Sequence, residues 1–194
     1  ILADETPFVD QVSIDEAFFD ITPGRFSREN PIEIASRISR RVSELGITCS
    51  IGLGTSKTVA KIASDRDKPH GLTIVPPGTE ENFLEPLPVR AMSGIGTSAE
   101  ASLKRMGIYT LGQLAAAPVA RLVTVFGSNA QLMHDRAAGL EMSDVAPIDA
   151  PEETKSVSNE RTFAQDLTER DDIDAALALL GESVGRRLRR RGLA

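Results

Sequence analysis

Two neighbouring carboxylates, Asp15 and Glu16, interrupt the run Ser13-Ile14-Asp15-Glu16-Ala17-Phe18-Phe19-Asp20-Ile21-Thr22, whose other residues favour a strand. An unpaired charge buried in a strand costs on the order of several kcal/mol. Either the strand ends near Ser13 and the acids meet water, or a cation meets them. That cation could be a Lys or Arg, or a divalent metal that takes hard oxygen ligands. Adjacent strand residues point to opposite faces, so both acids reach one metal only if the strand ends or bends there.

Two further groups have residue types suited to chemistry. In Gly54-Thr55-Ser56-Lys57-Thr58-Val59-Ala60-Lys61, continuing to Lys68-Pro69, three lysines recur at intervals of four and seven. They can share one helix face, as a solvated surface or as a basic ridge for phosphates. The run lacks the Gly-x-x-x-x-Gly-Lys-Ser/Thr order, so it is not a phosphate loop of that kind. In Met92-Ser93-Gly94-Ile95-Gly96-Thr97-Ser98, a Gly-apolar-Gly turn opens a helix that closes on Leu103-Lys104-Arg105-Met106-Gly107-Ile108. Backbone N–H groups at such a helix start can hold a phosphate without reading bases. An ordinary helix–helix turn is the plain alternative. Acids for metals, cations for a polyphosphate and a sequence-blind grip on nucleic acid together fit two-metal phosphoryl transfer.

The elements that must position these groups follow in order. Pro7 to Ile21 reads as a strand pair or one long strand, closed by Pro23-Gly24. Asn30 fits an N-cap, with Pro31 at the first helical position and Glu33 at the reach-back position of a capping box. Ile34, Ile38, Val42 and Leu45 predict the apolar face of that helix, and Gly46 its stop. Ile47–Leu53 and Leu72–Val75 read as strands, separated by a helix capped by Thr55 or Ser56. Beyond Pro77 only short helical patterns appear, through about residue 145. The prolines of residues 146–153 predict a linker, Lys155 to Phe163 a strand, and Arg170 onward a helix with Ile173, Leu177, Leu180, Val184 and Leu188 on one face. The fold class is α+β, helices covering a sheet and then an all-helical part.

Composition narrows the class of protein. The 194 residues are 41% hydrophobic and 26% charged, as in a soluble globular chain, and no apolar run is long enough for a membrane span. One cysteine, Cys49, excludes an internal disulfide and suits a reducing cytoplasm. A net charge of −6 argues against indiscriminate nucleic-acid binding but leaves room for a local basic surface. The chain opens on Ile1 without a Met or a signal peptide and closes in a helical pattern, so a segment of a longer protein is expected.

Ser13-Ile14-Asp15-Glu16-Ala17-Phe18, Ala60-Lys61-Ile62-Ala63-Ser64-Asp65 with Lys68-Pro69, the Gly94-Ile95-Gly96 turn and Lys155-Ser156-Val157-Ser158-Asn159-Glu160, in this order, resemble a Y-family translesion DNA polymerase of the DNA polymerase IV type. The resemblance implies the later part of a palm over residues 1–76, a helix-hairpin-helix thumb over 77–145, a linker at 146–153 and the start of a little finger over 154–194. It implies that Asp15 and Glu16 bind metal and support catalysis, Asp15 the more firmly, with two Mg2+ ions in the complete enzyme. It implies that Lys68 contacts the nucleotide triphosphate. Lys57, Lys61 and the turn of Gly94, Ile95, Gly96, Thr97 and Ser98 are then expected on DNA. Thr97 and Ser98 stand where the family often has a lysine. Expected partners are primer-template DNA and an incoming dNTP, for a monomer in the cytoplasm, with a sliding clamp reached through a tail outside this sequence. The family's Asp-x-Asp segment and fingers precede the Ser-Ile-Asp-Glu motif and have no counterpart here, so the segment alone is expected to be inactive. One alternative is a noncatalytic polymerase-like scaffold in the damage response. Another is a helix-hairpin-helix module beside an unrelated acidic strand.

Overall fold

The computed structural model describes residues 1–150 and 154–193. The expected linker at 146–153 thus lies in part outside the described residues, as does Ala194. The chain divides into two compact units, Ile1–Asp149 and Ala150–Ala194.

The first unit begins with a short helix α1 (Leu2–Glu5), then β1 (Val9–Gln11) and β2 (Ala17–Phe19). These two strands pair antiparallel, with Val9 opposite Phe19 and Gln11 opposite Ala17. Helix α2 (Pro31–Ser43) starts as its sequence dictates: the Asn30 side chain accepts from the Ile32 N–H at 3.0 Å, and Pro31 fills the first position. Ile34 and Ile38 are buried beside Ile21 and Ile51. Leu45 departs from expectation and is 68% exposed. The helix stops at Ser43 and Gly46 turns the chain at φ +80°, so the periodicity no longer carries Leu45 onto the apolar face.

Strand β3 (Ile51–Leu53) pairs in parallel with β4 (Leu72–Ile74), and helix α3 (Lys57–Ser64) makes the crossover between them. The two strand pairs are separate sheets, not one layer. Helix α3 lies directly on β3: a Cβ at Gly52 would overlap the Ala60 carbonyl oxygen and the Ser64 nitrogen. Glycine is therefore a packing requirement here.

Short helices follow: α4 (Glu80–Leu84), a 3-10 turn (Val89–Ala91), α5 (Thr97–Arg105), α6 (Leu111–Ala115), α7 (Val119–Phe126) and α8 (Asn129–Ala137). Thr110 and Gln113 form a reciprocal capping box at the start of α6. One core runs from Val59, Ile62 and Ala63 of α3 through Val75 to Leu84, Leu103, Leu111, Leu114 and Leu122. Packing is continuous across residue 76.

In the second unit, helix α9 (Arg170–Arg190) forms where the pattern places it, yet none of its residues is fully buried. The strand expected at Lys155–Phe163 is absent. Strand residues need a paired strand, and among the described residues no strand pairs with this segment.

Candidate active site

The acids Asp15 and Glu16 stand on a turn, which answers the question their alternation left open. The β1–β2 ladder ends at Gln11 and Ala17, and the Val12 and Ser13 N–H groups both donate to the Glu16 carbonyl, at 3.0 and 3.1 Å. Residues 12–16 are the tip of a hairpin, with Ile14 99% exposed. Asp15 is exposed, and its carboxylate accepts from the Ser13 hydroxyl at 2.6 Å. That bond, its own backbone N–H and the charges of Lys61 and Lys68 hold Asp15 below the usual aspartate range.

Helix α3 supplies the cations. Its N-cap Ser56 accepts from the Val59 N–H, and its first turn places Lys57 and Lys61 one above the other. Both turn toward the hairpin. Lys57 pairs with Asp10 of β1 at 2.8 Å and lies 5.7 Å from the centre of the Phe18 ring. Lys61 pairs with Glu16. The two lysines expected as a free ridge on DNA therefore have carboxylate partners. Lys68, beyond the helix, is 59% exposed and pairs with Asp65 at 2.6 Å. The Asp65 bond, followed by the Glu16 and Asp15 charges, raises its pKa. Thus Asp15, Glu16, Lys61 and Lys68 share one electrostatic neighbourhood.

The Gly94–Ser98 turn is built separately, with no hydrogen bond or ion pair to that group among the described residues. Gly94 takes φ +93°, which favours glycine. Ile95 is buried and anchors the turn in the core. Gly96 is the N-cap of α5 and offers no side-chain cap, so the first amides of the helix, at Thr97 and Ser98, have no side-chain acceptor. Glu100 stands in that first turn and pairs with Lys104 at 2.8 Å.

Several residues escaped the sequence reading. Asp10 and Ser13 support Lys57 and Asp15. Glu141 is buried against Thr58 and Arg136. In the second unit, Ser156, Val157, Ser158, Arg187, Arg190 and Arg191 line an open groove of about 370 Å³.

Asp15 and Glu16 offer hard oxygen donors, the type that Mg2+ takes. Among the described residues no three acids, histidines or cysteines group closely enough to hold a metal ion. Among the described residues no helix is long and apolar enough to cross a membrane.

Comparison with known proteins gives consistent matches. Residues 1–65 match the impB/mucB/samB family, and residues 154–194 match the impB/mucB/samB family C-terminal domain. DNA polymerase IV of Dehalococcoides mccartyi strain CBDB1 is 41% identical over 193 residues, 99% of this chain and 49% of that protein. DNA polymerase IV of Streptomyces coelicolor is 36% identical over all of this chain and 40% of its own length. The chain spans about half the length, or less, of these curated relatives. Among solved structures, DinB from Sulfolobus solfataricus superposes with a TM-score of 0.66 at 28% identity, covering 74% of this chain and 43% of that one. An insertion ternary complex of Dbh DNA polymerase gives 0.67 at 28% identity, over 74% of this chain and 43% of that one. Matches at both ends, alignment of nearly all of this chain to DNA polymerase IV sequences and a shared mixed helix-and-sheet fold lead to one conclusion: the chain belongs to the impB/mucB/samB family and is a Y-family polymerase segment.

Proposed function

We propose that this chain works within a template-directed translesion DNA polymerase, joining a dNTP to a primer 3′-hydroxyl. The observation that carries the reading is the hairpin turn that sets Asp15 and Glu16 beside Lys61 and Lys68. In the reaction, the 3′-hydroxyl gives its proton to solvent, its oxygen bonds to the α-phosphorus and the bond to the departing pyrophosphate breaks. Asp15 and Glu16 would hold Mg2+ together with at least one further ligand. Mg2+ bound there supplies charge stabilisation to the phosphoryl oxygens and favours the ionised 3′-hydroxyl. Lys61 keeps Glu16 aimed. Lys68, exposed and held by Asp65 at the surface, would exchange that partner for a triphosphate oxygen.

The segment assignments belong to the same reading. Residues 1–76 serve as the later palm, 77–145 as a thumb and 154–194 as the start of a little finger. The uncapped amides after Gly96 support a grip on the duplex backbone, and Gly96 itself has open space where a Cβ would stand. The arginine-lined groove at Ser156 and Ser158 supports a second phosphate contact. DNA polymerase IV relatives favour this reading over the noncatalytic scaffold.

Primer extension by the intact protein with Mg2+ and dNTPs tests the proposal. Asp15→Asn should lower the rate by about two orders of magnitude or more while leaving the fold unchanged. Extension at the wild-type rate by Asp15→Asn would refute it, as would no extension by the wild type.

A further inference from the structure

We propose that Glu141 is a positioning residue, which fixes the start of α3 and through it the lysines that hold the acidic hairpin. The inference rests on the active-site reading above and deepens it.

Glu141 is the one charged residue that is fully buried among the described residues, its side chain 3% exposed. A buried carboxylate must be satisfied on every side. One oxygen accepts from the Thr58 N–H at 3.0 Å and from the Thr58 hydroxyl at 2.6 Å. The other accepts from Nε of Arg136, on α8, at 2.8 Å. Thr58 is the second residue of α3 and lies 83 positions away in sequence.

The chemistry at Thr58 is that of a helix cap. The first amides of a helix have no internal acceptor, and a carboxylate there also meets the positive end of the helix dipole. Ser56 takes the Val59 amide at a long 3.3 Å, and Glu141 takes the Thr58 amide more closely. A second tie reaches the turn before α3, where the Thr55 hydroxyl donates to Glu80 of α4 at 2.6 Å. At the opposite side Gly52 holds α3 against β3 without slack. The helix is therefore clamped between a strand and two carboxylates from the helical region.

What the clamp positions is specific. Lys57 precedes Thr58 by one residue and Lys61 follows by three. Their partners are Asp10 and Glu16 on the hairpin. If the first turn of α3 loosens, the Lys57–Asp10 and Lys61–Glu16 pairs both lose their geometry. Burial pushes the Glu141 carboxyl up, yet the Thr58 and Arg136 hydrogen bonds outweigh it and keep the group ionised.

The test compares wild type with Glu141→Ala, Glu141→Gln and the control Leu103→Ala, all below their unfolding temperatures. The readouts are NMR signals of the Lys61 ammonium and Glu16 carboxylate, and hydrogen exchange at Thr58. They need no metal, DNA or nucleotide, so they stand apart from the primer-extension test. Glu141→Ala should speed Thr58 exchange at least about tenfold and shift the Lys61 and Glu16 signals. Glu141→Gln, which keeps volume and one acceptor oxygen, should do so in part. Leu103→Ala should lower stability and leave the pair signals in place. In the intact protein, Glu141→Gln should lower the insertion kcat about tenfold with duplex affinity unchanged. A folded Glu141→Ala with wild-type Lys61 and Glu16 signals overturns the proposal. If Glu141→Ala does not fold, unchanged pair signals in Glu141→Gln overturn it equally. Shifted signals with unchanged kcat overturn the positioning role while leaving the active-site reading intact.

Discussion

Replacing Gly52 by Ala tests the seating of the helix that carries the site's lysines. A Cβ there would overlap the Ala60 carbonyl oxygen and the Ser64 nitrogen and would stand 2.9 Å from the Ala60 carbonyl carbon. All three atoms are backbone, so no side chain can rotate away. Reaching an ordinary carbon contact of ~3.5 Å requires α3 to move by about half an ångström or more, further still at the oxygen. The helix is not free to move: Val59, Ile62 and Ala63 are buried on its other contacts, and Glu141 holds its start. The added methyl must therefore open the core or bend the strand. Overpacking of this kind costs about 1–3 kcal/mol, and the rigid surroundings favour the upper part of that range. At about 2–4 °C per kcal/mol for a chain of this size, thermal unfolding followed by far-ultraviolet circular dichroism should show a fall of roughly 5–10 °C. The same variant should disturb the Lys61–Glu16 signals. A Gly52→Ala chain that melts within about 1 °C of wild type would refute the close seating of α3 on β3.

Gly181 offers the opposite case. It lies inside α9 with open space where a Cβ would stand, so Gly181→Ala should stabilise the helix by up to about 1 kcal/mol, read as increased helicity and slower exchange in that segment. Glu141 predicts a pH effect. Its folded pKa lies below the ordinary glutamate value of 4.5, so its stabilisation is complete above that value and is lost as pH falls through the folded pKa. Denaturant unfolding should show the wild-type advantage over Glu141→Gln shrinking as pH falls below about 4.5, and an advantage that grows there would contradict the sign. If Gly94–Ser98 grips duplex backbone, Thr97→Lys should raise duplex affinity and steepen the dependence of log K on log salt by about 0.9. An unchanged slope, or strong sequence preference, would place the DNA elsewhere.

Local grammar was legible where the physics is local. Asn30-Pro31, Ser56 and Thr110 mark helix starts because capping bonds span two or three residues. Gly94 and Gly46 could be read as turns because the left-handed region favours glycine. Other features depend on distant chain. Alternation says that adjacent strand residues diverge, but the placing of Asp15 and Glu16 on a turn follows from pairing that stops at Ala17. The partners of Lys57 and Lys61 lie 47 and 45 residues away, so spacing within the helix showed a shared face and not what it meets. Leu45 kept the helical period after the helix had ended. Lys155–Phe163 had strand residues but, among the described residues, no strand to pair with. Glu141 had no signal at all, since a buried cap 83 residues from its helix looks like any acid in a loop.

Charge counting at the hairpin leads to a last prediction. Asp15 and Glu16 face Lys61 and Lys68, and Lys68 also engages Asp65. Before any ligand arrives, the negative charge that would attract a divalent cation is already largely balanced. A cation entering alone therefore meets Lys61 on Glu16 and leaves a positive surplus. On the proposed reading, a nucleotide triphosphate entering with it would supply compensating negative charge and give Lys68 a second partner. Cation and nucleotide should then bind with mutual dependence, by thermodynamic necessity in both directions. Titration of the intact protein with Mn2+ should show tighter binding when dNTP is present. Lys61→Met removes one opposing charge from a site open to solvent, where such a term is worth about 1 kcal/mol after screening. It should therefore strengthen nucleotide-free Mn2+ binding by about fivefold and weaken the dependence on dNTP. Equal Mn2+ affinity with and without dNTP in the wild type, or weaker binding in Lys61→Met, would mean that Lys61 acts by aiming Glu16 and not by balancing its charge.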